Sequence, residues 1–326
     1  MTMAIRLTFV MPVRDDASRL KQCLASVAAN GHHEECEIVV ADNGSRDASP
    51  QVAREAGALV VDLPRATVAE MRNVAARNAR GDLLAFVDAD HLLDQRWVES
   101  ALDLFRDPGI AAAGAHYSSP NDANWVQRAY GRFRPALRGI RDADWLGSGN
   151  LIVRQEAFRS VGGFDASLEA CEDVDLCNRL RQRGYRLVSD DRLRSIHQGD
   201  PASLKAVFRG ELWRGRGNMA VTLRGPWTAR ALTSLAIPVF NLMCLILVAG
   251  GAIGWPWTGS GPFVVGLAGL GATLAVRVLR MTSGSRMPLG AELAGTAAVA
   301  SAYELARALA LVFRATHQTR RGAVEA

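Results

Sequence analysis

The order of short apolar runs and helical patterns over the first part of the chain restricts the fold more than any other feature. Residues 7–11 (LTFVM) predict a buried strand ended by Pro12. Leu20, Leu24 and Val27 follow at helical spacing, after Asp15, Asp16 and Ser18, which favour a helix start. Residues 37–41 (EIVVA) predict a second strand, closed by the turn Asp42-Asn43-Gly44-Ser45. A helix over 48–56, a strand over 58–61, a helix over 68–78 and a strand over 83–87 (LLAFV) complete the series. This β-α-β-α-β-α-β order implies an α/β fold, a doubly wound and mainly parallel sheet covered by helices. Ligands of such sheets bind beyond the carboxyl ends of the strands. Pro12-Val13-Arg14-Asp15, Asp42-Asn43-Gly44-Ser45 and Asp88-Ala89-Asp90 all fall there, so the topology converges them on one edge. No Gly-x-Gly-x-x-Gly follows the first strand and no Walker lysine is present, which disfavours dinucleotide-binding and P-loop readings.

Downstream, residues 116–145 read as irregular and rich in Arg, Tyr, Trp and Pro. A strand over 149–153, a helix over 156–161, the turn Gly162-Gly163-Phe164-Asp165, a helix over 173–183 and a strand over 185–189 finish the first domain, placed at 1–205.

Composition then shifts. Residues 231–313 are dominated by Ala, Leu, Val and Gly. Residues 232–253 carry no charge and are long enough to cross a bilayer, with Pro238 and Asn241 tolerable inside. Trp255 and Trp257 stand where an interfacial belt would lie, in an uncharged loop predicted over 254–262. A second run, 263–276, extends through Val278 and Leu279 around Arg277, which is expected to snorkel. Residues 289–313 contain Glu292, Glu304 and Arg307 and fit either a third crossing or a helix along the interface. The layout is therefore a domain at 1–205, a basic amphipathic linker at 206–230 and a membrane region at 231–326 with two to three hydrophobic helices. Arg209, Arg214, Arg216, Arg224 and Arg230 precede the first run, and Arg280 and Arg286 follow the second. The positive-inside rule then places the first domain on the cytoplasmic side of a multi-pass protein of the cell membrane. Residues 1–6 lead straight into a strand without a signal-peptide pattern, which agrees with a domain folding in the cytosol. The competing reading, a buried helical domain of a soluble protein, is weakened by the length of the charge-free run.

The formal net charge is +5, and lysine occurs only at Lys21 and Lys205. No zinc-ligand spacing, arginine-rich tail or RNA-binding signature accompanies that charge, so nucleic acid is not an expected partner. Membrane lipid headgroups and phosphorylated substrates fit it. The five cysteines are odd in number and form no CxxC pair, so no disulfide framework is expected.

Two acidic motifs carry chemistry. Asp88-Ala89-Asp90 sets two carboxylates at a strand mouth, a donor set for a hard divalent ion that can neutralise a leaving diphosphate. Alone it reads equally as a solvated acidic turn. Glu172-Asp173 opens a helix and could supply a general base; alone it reads equally as an N-terminal cap.

Four segments in order make the pattern specific: VMPVRDDASRLKQCLASV, EIVVADNGSRDAS, AEMRNVAARNARGDLLAFVDAD and GSGNLIVRQEAFRSVGGFDASLEACEDVDLCNRLRQRGYRL. Over roughly residues 6–190 the chain resembles family 2 of the glycosyltransferases, inverting enzymes with the GT-A fold. The resemblance implies transfer of a sugar from a nucleoside-diphosphate donor, a UDP-sugar first among them, to a hydroxyl of a lipid-linked or membrane-proximal glycan, with a Mg²⁺ or Mn²⁺ cofactor. It implies donor binding by Pro12, Arg14, Asp15, Asp42, Arg72 and Asp88, with Met71 replacing an alanine. It implies metal ligation by Asp90 with Asp88, and an acceptor-side loop at Gly147-Ser148-Gly149-Asn150. Asp173 would be the catalytic base, with Glu172 beside it. His197 is either a third metal ligand or a structural histidine. Two departures stand out. His91 occupies a position where many relatives carry an acidic or small residue, which would alter metal preference. The segment 211–216 (ELWRGR) is a poor match to the Gln-x-x-Arg-Trp element of processive synthases. A nucleotidyltransferase would need a Gly-rich basic loop after the first strand, which VMPVRDD lacks. A non-catalytic membrane scaffold would be expected to lose one of the acidic motifs, and both are present.

Overall fold

In the computed structural model, which describes residues 5–32, 34–134, 138–283 and 290–313, the first strand runs on through Pro12. The elements in chain order are β1 (Leu7–Val13), α1 (Ala17–Ala28), β2 (Cys36–Asp42), α2 (Ser49–Glu55), β3 (Leu59–Asp62), α3 (Val68–Arg77), β4 (Leu83–Val87), β5 (His91–Leu93), α4 (Trp97–Leu104) and β6 (Ile110–Gly114). Then come α5 (Trp125–Gly131), β7 (Ile140–Asp142), β8 (Asn150–Arg154), α6 (Gln155–Ser160), α7 (Glu172–Gln182), β9 (Arg186–Asp190) and β10 (Ser195–His197). Four helices follow: α8 (Leu204–Leu223), α9 (Ala229–Thr258), α10 (Gly261–Thr282) and α11 (Ala291–Leu309). Pro12 is accommodated because the β1–β4 ladder stops at Val10–Phe86, so beyond that point one edge of β1 needs no ladder donor.

The chain forms two compact units: 1–122 with 134–200, and 123–133 with 201–326. The first unit is built on an eight-stranded sheet in the order β3-β2-β1-β4-β8-β6-β9-β7. The first four neighbours are parallel, as the β-α order requires. β8 is antiparallel to both β4 and β6, so the sheet is mixed from there on. Two buried clusters cover its faces, one around Phe9, Leu20 and Trp97, the other around Phe86, Phe158 and Leu176. β5 and β10 pair antiparallel as a separate ribbon, with His91 opposite His197.

β6 (IAAAG) has few large side chains and escapes a periodicity reading. It lies in the sheet interior because its small residues allow close backbone approach. A Cβ at Gly114 would sit 2.5 Å from the Asn150 carbonyl oxygen.

In the second unit the long helix α8 runs through most of the stretch read as a basic amphipathic linker, and its N-cap Ser203 accepts from the Ala206 N–H. It also takes α5, inside the stretch that reads as irregular. There the Asn124 side chain caps Val126 and Gln127, and Gln127 returns a bond to Asn124 N–H. Residues 229–254 and 261–282 form two helices long and apolar enough to cross a membrane. The predicted loop over 254–262 shrinks to the turn at Gly259 and Ser260, since α9 continues through Thr258. Arg277 does not snorkel. Its Nε donates to Glu304 of α11 at 2.6 Å, and Asn241 of α9 donates to the same carboxylate at 2.9 Å. Arg286 and the basic residues Arg314, Arg320 and Arg321 lie outside the described residues.

Replacing Gly114 by alanine forces a methyl group onto backbone rather than onto a yielding side chain. Gly114→Ala is expected to destabilise the first unit by about 1–3 kcal/mol, read as a lowered midpoint of thermal or urea unfolding.

Candidate active site

The carboxyl ends of β1, β2 and β4 bring together the polar clusters that the topology assigns to them. β2 ends at Asp42, whose Oδ2 accepts from the Ser45 N–H at 2.9 Å. Its Oδ1 is buried without a hydrogen-bond partner. A buried carboxylate oxygen left unbonded is costly, and it suits an N–H donor from a ligand. After β1, Asp15 adopts a left-handed conformation with φ 49°. That places its Oδ1 to accept from Arg46 N–H at 2.6 Å, tying the β1 loop to the β2 loop. Arg14 is exposed there, with its Nε 3.8 Å from Asp15. Pro12 is half-buried beneath them.

β4 delivers Asp88, and α3 crosses behind it. Thr67 and Glu70 form a reciprocal capping box that fixes the start of α3. One turn on, Arg72 is 2% exposed and divides its guanidinium between two carboxylates. One terminal nitrogen donates to Asp88 Oδ1 at 2.7 Å, the other to Glu172 Oε1 at 2.8 Å. Burial pushes this guanidinium down, but the Asp88 and Glu172 charges outweigh it and hold it up. Arg72 therefore ties the two acidic motifs together.

α7 begins at Glu172, with Glu172, Asp173 and Asp175 in its first turn, where unpaired N–H groups and the helix dipole favour carboxylates. Cys171 precedes it with φ 64°, a left-handed turn that swings the helix start toward β4. Asp173 is half-buried. Its Oδ1 accepts from Val174 N–H at 2.8 Å and its Oδ2 from Ser148 N–H at 3.3 Å. Burial, and then the neighbouring Glu172 charge, lift its carboxyl to about 6. The Ser148 hydroxyl lies 3.4 Å from Glu172 Oε1. Gly147 and Ser148 thus border Asp173. Asn150 does not. It is 1% exposed, accepts from the Trp97 indole N–H at 3.0 Å and donates to the Leu193 carbonyl at 2.7 Å. It is a packing residue under the loop. Gly149 sits where a Cβ would come within 2.9 Å of both Asp88 Oδ2 and His91 Nε2, so only glycine fits between them.

On the far side of Asp88, one ligand atom from each of Asp90, His91 and His197 lies within 4.8 Å of the others. That spacing and mixed O/N donor set fit a divalent cation. Asp88 lies beside this group, with its Oδ1 engaged by Arg72. His197 Nε2 is 3.3 Å from Asp90 Oδ2, and its Nδ1 bonds Asp200 Oδ1 at 2.8 Å. Burial lowers His197, but Asp200 and Asp90 raise it to about 9. Burial would raise Asp90 and Asp200, yet hydrogen bonds from His197 bring each down to about 2. His91 is pushed down to about 4 by burial and then by the charge of His197.

Several residues here have no motif to announce them. Arg19 of α1 reaches Asp90 Oδ2 at 3.6 Å. Tyr117 packs against both His91 and His197, and Arg134 lies 4.3 Å from the Tyr117 ring centroid while also bonding Asp200. A Cβ at Gly199 would lie 2.0 Å from Asp90 Oδ2. Arg19 had a local signal, its place on the first turn of a helix opening toward the strand ends; the others come together only through tertiary folding.

Residues 8–160 match the family model described as glycosyl transferase family 2. Among curated proteins, the chain is 26% identical over 245 residues to glycosyltransferase AglE of Haloferax volcanii, covering 71% of this chain and 79% of AglE. It is 30% identical over 194 residues to the pre-mycofactocin glycosyltransferase of Mycobacterium tuberculosis, covering 56% of this chain but only 40% of that protein. Among solved structures, mannosyltransferase PcManGT from Pyrobaculum calidifontis, in complex with GDP-Man and Mn²⁺, superposes with a TM-score of 0.60 at 18% identity, covering 94% of this chain and 87% of that one. GalNAc-T7 with UDP, GalNAc and Mn²⁺ gives a TM-score of 0.50 at 15% identity, covering 65% and 50%. These likenesses establish a GT-A-like fold.

The lifted carboxyl of Asp173 has a consequence for stability. Between the ordinary aspartate range and about pH 6 the folded chain holds a proton that the unfolded chain has released. Stability therefore falls as pH rises through that window, and the cost persists above it. Asp173→Asn is expected to be at least as stable as the parent at pH 8, by about 1–2 kcal/mol after allowing for screening of a half-buried group. The difference should vanish near pH 4. Paired thermal melts at the two pH values measure it; a variant clearly less stable at pH 8 contradicts the electrostatics.

Proposed function

Residues 8–160 match the family model described as glycosyl transferase family 2, and on that basis we propose that this chain moves a sugar from a nucleoside-diphosphate donor to an acceptor hydroxyl, inverting the anomeric carbon. The observation that carries the proposal is the single fork of Arg72, which fixes the strand-end Asp88 and the helix-start Glu172 in one site beside Asp173. Asp42 supports the donor assignment, because its unbonded Oδ1 can accept from a ring N–H of a base such as uracil or guanine. A UDP-sugar is the first donor to test, and GDP-mannose the second. Arg14, Asp15 and Pro12 border the same strand ends and would line the nucleotide.

Asp173 then takes the proton of the acceptor hydroxyl as that oxygen attacks the anomeric carbon. The bond from that carbon to the diphosphate oxygen breaks on the opposite face, which inverts the centre. The N–H groups of Ser148 and Val174 fix the orientation of the base, and Glu172 raises its affinity for the proton. Asp90 and His197 would hold a divalent cation, Mn²⁺ or Mg²⁺, which supplies neutralisation of the charge developing on the leaving diphosphate.

The acceptor is read as a lipid-linked or membrane-proximal glycan. The support is the pair of long apolar helices, and their basic flanks agree with a catalytic unit on the cytoplasmic side of a multi-pass protein. A cysteine introduced at Ser260 is expected to react with an impermeant maleimide added outside intact cells, whereas labelling only after permeabilisation reverses the orientation.

Release of nucleoside diphosphate across a panel of donor sugars tests the reaction. Asp173→Asn is expected to lower kcat by about 10²–10⁴-fold with nucleotide affinity retained. In the parent, kcat/KM should fall about tenfold per pH unit below about pH 6, where the base becomes protonated. Full turnover by Asp173→Asn, or a product with retained configuration by NMR, refutes the mechanism.

A further inference from the structure

We propose that His91 is a second imidazole ligand of the cation site, and that it tunes this chain toward divalent transition ions such as Mn²⁺ and away from Mg²⁺. The inference rests on the glycosyltransferase reading above but assigns a residue that reading does not use. His91 follows the acidic pair directly and begins β5, while His197 ends β10. The antiparallel register sets the two directly opposite one another, which puts their side chains on one face of the ribbon. Their ring centroids are 4.9 Å apart.

Each ring is oriented from behind. Ser195 Oγ lies 3.0 Å from His91 Nδ1, and Asp200 Oδ1 lies 2.8 Å from His197 Nδ1. Metal-bound histidines show this arrangement, in which an outer partner fixes the tautomer and leaves the other nitrogen free to coordinate. The free nitrogen of His91 is Nε2. His91 is 1% exposed, and its ligand atom lies within 4.8 Å of those of Asp90 and His197. Gly149 keeps the space in front of that nitrogen clear, since any Cβ there would sit 2.9 Å from it.

Donor chemistry then decides the ion. Mg²⁺ prefers an octahedron of oxygens and keeps its waters, whereas imidazole suits first-row transition ions. One carboxylate with two imidazoles is a poor Mg²⁺ site and an adequate Mn²⁺ site.

The test uses the full chain in detergent or nanodiscs, with MnCl₂ as probe. Electron spin-echo modulation of the Mn²⁺-loaded protein is expected to show two coordinated imidazole nitrogens. Mg²⁺ should displace Mn²⁺ only in large molar excess. His91→Ala should leave one nitrogen coupling and weaken Mn²⁺ binding at least as much as loss of an outer partner does, about 10–100-fold, with little change for Mg²⁺. Ser195→Ala, a milder change that leaves the ring in place, should weaken Mn²⁺ by about tenfold and serves where His91→Ala does not fold. Tight Mn²⁺ binding with one nitrogen coupling, or two couplings that persist in His91→Ala, overturns the second ligand while leaving the cation-dependent enzyme intact. A folded parent chain that binds no Mn²⁺ overturns both.

Discussion

The site depends on one buried guanidinium. Arg72 sits under the cleft with its terminal nitrogens on Asp88 and Glu172, residues 16 and 100 positions away in the chain. Placing this charge inside the protein is expensive, and only two charge-assisted bonds of good geometry offset it. Removing either carboxylate would strand the guanidinium, at a cost of about 3–5 kcal/mol. The consequence is mechanical as well as energetic. β4 leads into one carboxylate and α7 begins with the other, and neither can shift without breaking a bond to Arg72. The face of Phe164 lies 5.5 Å from the guanidinium carbon and closes the remaining side. The clamp thus converts two separately ordinary acidic motifs into one preorganised arrangement.

The charges around that clamp are deliberately unequal. Asp90 is held low by the hydrogen bond and charge of His197, so it stays anionic across the physiological range. Asp173 lies against Glu172 in a drier corner and is lifted instead. Environments that push two carboxylates apart in this way allot them different work. The lower one can hold a cation; the higher one can take a proton.

Much of this was legible in the sequence. The alternation of strands and helices through Val87 gave the parallel half of the sheet, because buried parallel strands read as unbroken apolar runs. The strand-end rule brought Asp15, Asp42 and Asp88 to one edge before any coordinates. What stayed hidden has physical reasons. β6 is a strand made of alanines, whose role is to let β8 and β9 approach, and small residues leave no periodic signal. Asn150 lies next to a loop that faces the site, yet its side chain turns inward to satisfy Trp97, and sequence adjacency cannot reveal direction. A motif reports that a charge is needed at Arg72, and only the fold shows the two carboxylates it joins. Tyr117, Arg134 and Asp200 meet only through the return of the chain along β10.

The helical unit shows the same limit from the opposite direction. Charges in residues 289–313 left α11 undecided between a crossing and a surface helix, since each charge was weighed alone. The structure pairs them. Glu304 receives bonds from Arg277 and Asn241, and Thr273 donates to Asn241 at 2.8 Å, so three helices share one closed polar network. Where water is scarce, a polar group is tolerable only if its partner is on a neighbouring helix, and such a network specifies which faces must meet. Asn241 and Arg277 are therefore positions that fix α9 and α10 against α11. An apolar residue at either would suit a bilayer better in isolation and leave Glu304 without the bond it accepts from that position.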